Sequence, residues 1–263
     1  MKKMIQLLTG LVLLAPAYVN AQQSTANELE IMNQLSSRAA VSSMPVSQLL
    51  NAPGNEALKA FFFTPVKKKG ALKGKRMAVI AADGFEEIEM LGPVWYFREL
   101  GAKVDIVGPK FNPAPARYGL STPEMAKDHI MAIQYLNPVG WVKVDRTADQ
   151  IKVEEYDAIF IPGGAWNPDN LRYDKDVIRF IKEFNKAGKL VAAICHAPVV
   201  LATADILKGR KLTGYWNIQT DLTNAGGIVT DEPVVVDGNI ITSRHPIDVA
   251  DFSRAVEGWL VKE

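Results

Sequence analysis

Cysteine is nearly missing from this 263-residue chain: Cys195 is the only one. No disulfide can form within the chain, and zinc sites built from clustered thiolates are excluded. A solitary thiol leaves a free sulfur, a crosslink between chains, or a relic. Histidine is scarce as well. Only His129, His196 and His245 can move protons near neutral pH as unperturbed side chains. An excess of one charge is also lacking, since 30 basic residues face 29 acidic ones. With neither a long basic block nor an RNA-binding motif, there is no electrostatic case for nucleic acid. Finally, the apolar run from Ile5 to Leu14 is too short to span a bilayer.

What is present at the N terminus reads as an export signal. Lys2 and Lys3 form a basic start, Ile5 to Leu14 an apolar stretch, and Val19-Asn20-Ala21 a small-residue cleavage site before Gln22. A signal over residues 1–21, cut after Ala21, implies an exported and periplasmic protein with no membrane contact after cleavage; an uncleaved N-terminal anchor is the alternative. No cysteine precedes the cut, so a lipoprotein form is not supported. Cleavage removes two of the 30 basic residues and no acid, leaving 28 against 29.

Residues 22–72 read as an N-terminal extension and linker, with a helix around Ala26 to Leu35 and interruptions at Pro45, Pro53 and Pro65. Lys67-Lys68-Lys69 before Gly70 reads as a solvated linker. From residue 73 the pattern changes to that of a single domain. Met77 to Ala81, Val104 to Val107, Asp157 to Ile161 and Leu190 to Ile194 are short apolar runs suited to buried parallel strands. Helix-period segments from Glu86 to Leu100 and from Asp174 to Ala187 fall between them. This β-α alternation predicts an α/β fold: a three-layer sandwich with a mainly parallel sheet and helices on both faces. Short strands near 211, 228, 234 and 240, a hairpin turn at Asp237-Gly238 and a final helix from Asp248 to Lys262 complete it. Residues 110–150 show weak periodicity and read as an irregular insertion on the site rim.

Chemistry concentrates at Ala193-Ile194-Cys195-His196-Ala197-Pro198. The cysteine falls between a buried strand and a helix, where a sharp turn lifts a nucleophile above the sheet edge and the helix start favours a thiolate. A buried core cysteine is the bland alternative. His196 is a candidate base or a helix cap, because adjacency alone proves no contact. Gly163 and Gly164 follow a strand and suit backbone donors toward an oxyanion, or an ordinary tight turn. Glu86, Glu87 and Glu89 open a helix at the same sheet edge, either as capping acids or with one carboxyl beside the sulfur. His129 and His245 are given surface or structural roles.

These motifs, in order, resemble those of the PfpI family within the class I glutamine amidotransferase-like superfamily. Asp83 to Glu89, Ile161 to Gly164, Ala193 to Pro198, Leu207 to Thr213 and Thr242 to Pro246 carry the resemblance from Arg76 to Glu263. The family includes PfpI-type proteases, the Parkinsonism-associated deglycase and glyoxalase III relatives. The resemblance implies a flavodoxin-like sandwich and a homodimer or higher oligomer, and no cofactor or metal is expected. It makes Cys195 the nucleophile, His196 its neighbour, and Glu89 the carboxyl contacting the sulfur. Gly164 becomes the oxyanion-side glycine, Tyr215 a pocket-lining aromatic, and Glu86 a candidate oligomer contact. Ala197 departs from the glycine usual in close relatives.

The expected function is that of a cysteine-dependent hydrolase or lyase acting on a carbonyl or amide. Small reactive aldehydes, their protein adducts and peptides are the substrate classes. The alternatives are a redox sensor or chaperone-like protein using oxidation of Cys195, and a binding module without turnover.

Overall fold

The computed structural model describes residues 46–110, 128–134 and 137–262. The expected signal, the helix around 26–35 and the stretch 111–127 lie outside the described residues. Two short helices, α1 (Val46–Asn51) and α2 (Glu56–Phe63), precede strand β1 (Arg76–Ile80). Next come β2 (Phe85–Glu86), α3 (Glu87–Glu99), β3 (Lys103–Gly108), β4 (His129–Gln134), β5 (Asn137–Lys143), β6 (Arg146–Thr147) and β7 (Ala158–Ile161). After them run α4 (Asn167–Tyr173), α5 (Lys175–Lys186), β8 (Leu190–Ile194), α6 (Pro198–Thr203), β9 (Lys211–Leu212) and α7 (Gln219–Asn224). The chain closes with β10 (Ile228–Val229), β11 (Val234–Asp237), β12 (Ile240–Ser243) and α8 (Val249–Lys262).

The main sheet has seven strands in the order β11-β12-β8-β7-β1-β3-β6. Six run parallel, and β11 is the antiparallel edge, joined to β12 through the Asp237-Gly238 turn. Because successive strand residues face opposite sides, each central strand feeds two cores. Met77 and Val79 of β1, Phe160 of β7 and Ala192 of β8 pack with α3 and α8. Ala78, Ile80, Ile159 and Ala193 pack on the other face with α5 and α6. Helix α5 buries Val177, Phe180, Ile181 and Phe184, one stripe at helical spacing. Its start is capped by Asp174, whose side chain accepts the amides of Asp176 and Val177 at 2.8 and 3.1 Å. This is the flavodoxin-like three-layer arrangement expected from the alternation.

Two regions differ from the sequence expectation. Residues 46–72 are not a loose linker, since Pro45–Glu263 form one compact unit. Leu49, Leu50, Leu58, Phe61 and Leu72 join the same core as Met77 and Val79. Phe61 meets Trp95 and Tyr96 of α3 at ring separations of 6.3 and 5.0 Å. Short helices between prolines have weak periodicity, so only tertiary burial shows that they belong to the domain. The second difference lies in 110–150, which is not irregular throughout. β4 and β5 form an antiparallel hairpin with a bulge, and β4 pairs in parallel with β2. That hairpin ties the region to the loop before α3: Gly84 donates to the Met131 carbonyl at 2.8 Å, and the Met131 amide donates to Asp83 at 2.9 Å.

If α2 is part of the core, Phe61→Ala leaves a cavity costing about 3 kcal/mol or more. Urea unfolding should show a lower midpoint at unchanged slope. An unchanged midpoint would place residues 46–72 outside the cooperative unit.

Candidate active site

Every site element sits at the carboxyl edge of the parallel sheet. β1 ends before Asp83-Gly84, β7 runs into Pro162-Gly163-Gly164, β8 delivers Cys195, and β12 delivers Arg244-His245. Ligand sites of open α/β sheets lie at this edge. Cys195 adopts φ 64°, a left-handed conformation that a non-glycine residue rarely takes. Surrounding bonds impose it. The Cys195 amide donates to the Ser243 carbonyl at 3.0 Å, and its carbonyl accepts from Tyr215 at 2.9 Å. Ala197 donates back to Ile194 at 3.0 Å to close the turn. Cys195 is only 5% exposed.

Three groups surround the sulfur. His196 Nδ1 lies 3.2 Å from Cys195 Sγ, so the adjacent pair does make contact. Burial lowers the His196 pKa, an effect partly opposed by the charge of Asp169, and the ring is therefore neutral at neutral pH. Nδ1 can then accept the thiol proton. The backbone amides of Gly164 and His196 also point at the sulfur and favour its anion. Glu89 is the third group. It is fully buried, its carboxyl is bonded to Cys195, and Oε2 accepts the Gly163 amide at 3.0 Å. Oε1 is buried with no partner.

Burial pushes the Glu89 carboxyl well above its ordinary 4.5, and the nearby charges of Glu86 and Asp248 push the same way. Its bonds to Cys195 and Gly163 oppose this without reversing it. The balance favours the protonated form of Glu89 in the folded protein. Burial likewise pushes the Cys195 thiol up, and an ionised Glu89 would push it further. Keeping Glu89 protonated removes that second cause, so the two groups share one proton economy.

The glycines earn their place by space. A Cβ on Gly163 would fall 2.4 Å from both Cys195 Cβ and Glu89 Oε2. On Gly164, at φ 90°, a Cβ would lie 2.1 Å from the Gly84 carbonyl oxygen. The expectation that both amides face an oxyanion needs correction. The Gly163 N–H is taken by Glu89, and only Gly164 offers its N–H toward the sulfur. Glu86, expected at an oligomer contact, is 7% exposed within the single chain, where its charge acts on Glu89.

Tyr215 stacks its ring on His196 at a centroid separation of 4.6 Å and an interplanar angle of 23°. His245 is partly buried, 3.5 Å from Asp248, while His129 pairs with Asp128 at 2.6 Å, away from the sulfur's contacts. Sequence reasoning missed Asn167. This buried side chain accepts the Ala82 amide and donates to the Pro162 carbonyl, each at 2.6 Å, locking the ends of β1 and β7. Its only signal was a position at a helix start, where capping is the plain reading. Among the described residues no group of three or more His, Cys, Asp or Glu side chains could hold a metal ion. Two surface concavities, of about 510 and 430 Å³, are lined by residues remote from these contacts.

With a buried Glu89 whose folded pKa is raised, folding takes up a proton above the unfolded carboxyl value. Its contribution is complete below about pH 4.5 and falls as pH rises toward the folded pKa, by up to about 1.4 kcal/mol per unit. Glu89→Gln removes that slope. Urea titrations at pH 5, 6 and 7 should show the wild-type losing stability relative to the variant. Parallel curves would mean that Glu89 is ionised when folded.

Residues 75–257 match the DJ-1/PfpI family. An uncharacterized protein from Staphylococcus epidermidis is 40% identical over 184 residues, 69% of this chain and 95% of the relative. An uncharacterized protein from Archaeoglobus fulgidus is 34% identical over 177 residues, 67% and 93% of the two chains. Among solved structures, Drosophila melanogaster DJ-1beta aligns with a TM-score of 0.61 at 27% identity, covering 72% of this chain and 91% of that one. A two-domain protein from Anabaena variabilis, with DJ-1/ThiJ/PfpI-like and ferritin-like domains, aligns at 33% identity with a TM-score of 0.61. There the match covers 71% of this chain but spans about half of the relative, 48%.

Proposed function

The chain belongs to the DJ-1/PfpI family, and on that premise we propose that it is a cysteine-dependent enzyme acting on small reactive carbonyl compounds, their protein adducts, or peptides. The observation that carries this reading is the 3.2 Å contact between Cys195 Sγ and a neutral His196 Nδ1 on a left-handed elbow. His196 takes the thiol proton as the sulfur attacks the carbonyl carbon. The S–C bond forms, the C=O π pair moves to oxygen, and the proton returns from His196 to that oxygen. With an aldehyde the product is a hemithioacetal. With an amide, His196 instead gives its proton to the nitrogen as the C–N bond breaks and the C=O re-forms, and the acyl-enzyme is left for water to cleave. Amides at Gly164 and His196 favour the thiolate that attacks, and a protonated Glu89 adds no like charge beside it.

The purified chain is to be assayed with methylglyoxal, glycated peptide and casein. Cys195→Ala should lower the responding activity about a thousandfold or more, and His196→Ala about a hundredfold or more. The rate should fall in acid, with its limb below pH 6.5, because His196 must be neutral and burial lowers its pKa. Activity unchanged in Cys195→Ala would sink the proposal.

A second reading has its own support. The amides and the Glu89 carboxyl around the sulfur would also hold an oxidised sulfur, two oxygens being added by two peroxide molecules that are each reduced to water. Mass spectrometry after graded peroxide decides it: oxidation no faster than that of a free thiol rules it out.

The setting we propose is the periplasm, on the strength of the segment over residues 1–21. Among the described residues no helix is long and apolar enough to cross a membrane. N-terminal sequencing of the protein recovered from cells should begin at Gln22. Self-association belongs to the same proposal, supported by Leu91 and Trp95, 39% and 37% exposed at helical spacing on α3.

A further inference from the structure

The wall beside the nucleophile holds a feature that the carbonyl chemistry leaves unused. From His196 the rings run on in contact: His196 to Tyr215 at 4.6 Å, Tyr215 to Trp216 at 5.2 Å, and Trp216 to His245 at 5.1 Å. Packing of rings is ordinary inside a core. Here, however, Trp216 is 51% exposed and Tyr215 only partly buried, so the row opens at the surface next to the sulfur.

The row is also held in place. The Tyr215 amide donates to the carbonyl of Cys195 itself at 2.9 Å, which fixes the rings relative to the sulfur. The Trp216 indole N–H donates to the Asp231 carboxylate. Trp216 therefore presents π surface, with its one polar atom already bonded.

The charges around the row are spent on one another. Arg244 is held by Asp248 at 2.9 Å and by Asp231 at 3.0 Å, and Asp169 sits 3.6 Å from Arg172. Burial keeps both His196 and His245 toward the neutral form. What borders the sulfur on this side is an aromatic shelf whose charged neighbours are already ion-paired with one another. Such a surface selects a flat, uncharged group by stacking and desolvation, and offers a charged one no unpaired partner.

We propose that the Tyr215–Trp216 shelf is a specificity subsite for carbonyl substrates that carry an uncharged aryl group a few bonds from the reacting carbon. This rests on Cys195 being the nucleophile. It deepens that reading by naming the substrate class, and it makes Trp216 a specificity-determining residue that takes no part in proton transfer.

The single cysteine permits a test independent of turnover. Cys195 in the full chain is alkylated with iodoacetamide and with N-benzyl iodoacetamide, and the rates are followed by intact mass. N-acetylcysteine supplies the ratio for a free thiol. The benzyl probe should be favoured about three- to tenfold over that reference ratio, the range of an aromatic contact. Trp216→Ala should return the ratio to the reference, and Trp216→Phe should keep most of the preference. Should Trp216→Ala not fold by circular dichroism, Trp216→Leu, apolar but ringless, carries the comparison. A wild-type ratio equal to the free-thiol reference overturns the shelf, as does a preference that survives loss of the ring. A trimethylammonium-bearing iodoacetamide labelling faster than the benzyl probe also overturns it, in favour of cation recognition. Labelling by neither probe overturns the nucleophile reading itself, so the two failures are distinct.

Discussion

A buried carboxyl packed against a backbone amide and a sulfur is the constraint on which the rest of the site depends. Glu89 has no exposure, and its Oε2 takes the Gly163 N–H. Leaving water costs a carboxylate several kcal/mol, so the group stays protonated unless paired, and here its neighbours Glu86 and Asp248 are acids. The neutral acid beside Cys195 in turn spares the sulfur a like charge. Position 163 must lack a side chain, because a Cβ there would occupy the space of both partners. One contact thus sets the residue type at one turn and the protonation state at two groups.

The sheet supplies the rigidity for this contact. Parallel strands β1, β7, β8 and β12 end side by side, and the loops leaving them are stitched across the edge by Asn167, by the Gly84–Met131 bond and by the Cys195–Ser243 bond. An elbow at φ 64° is a sparsely populated conformation costing about 1–3 kcal/mol, and it persists only where the neighbours over-determine it. The two cores beneath supply that over-determination, since Ile194 packs into one and Ala193 and Ala197 into the other.

The histidine adjacent to the sulfur acquires its chemistry from burial rather than from a strong partner. Burial moves it toward neutrality, and its ring is sandwiched against Tyr215 instead of bonded to a carboxylate. Asp169 influences it only through its field. The imidazole is thereby oriented by stacking and can accept a proton at Nδ1.

Strand and helix periodicity in the sequence determined the alternating α/β layout, because burial of apolar faces is a local pattern repeated many times. β1, β3, β7, β8, α3 and α5 all fall within a residue or two of where their apolar spacing puts them. The lone cysteine between a strand and a helix marked the candidate nucleophile for the same reason: a sharp turn with small neighbours is written in adjacent residues. Which of three glutamates turns inward, whether His196 faces its neighbour, and which glycine amide is spent on a carboxyl were decided by tertiary structure alone. Each depends on atoms brought together from residues as far apart as 89 and 163, or 84 and 131. The burial of residues 46–72 and the β4–β5 hairpin escaped the pattern as well, since short helices between prolines and a bulged hairpin carry little periodicity of their own. Trp216 belongs to the same class: in the chain it is one aromatic among many, and only the fold puts it on the wall beside Cys195.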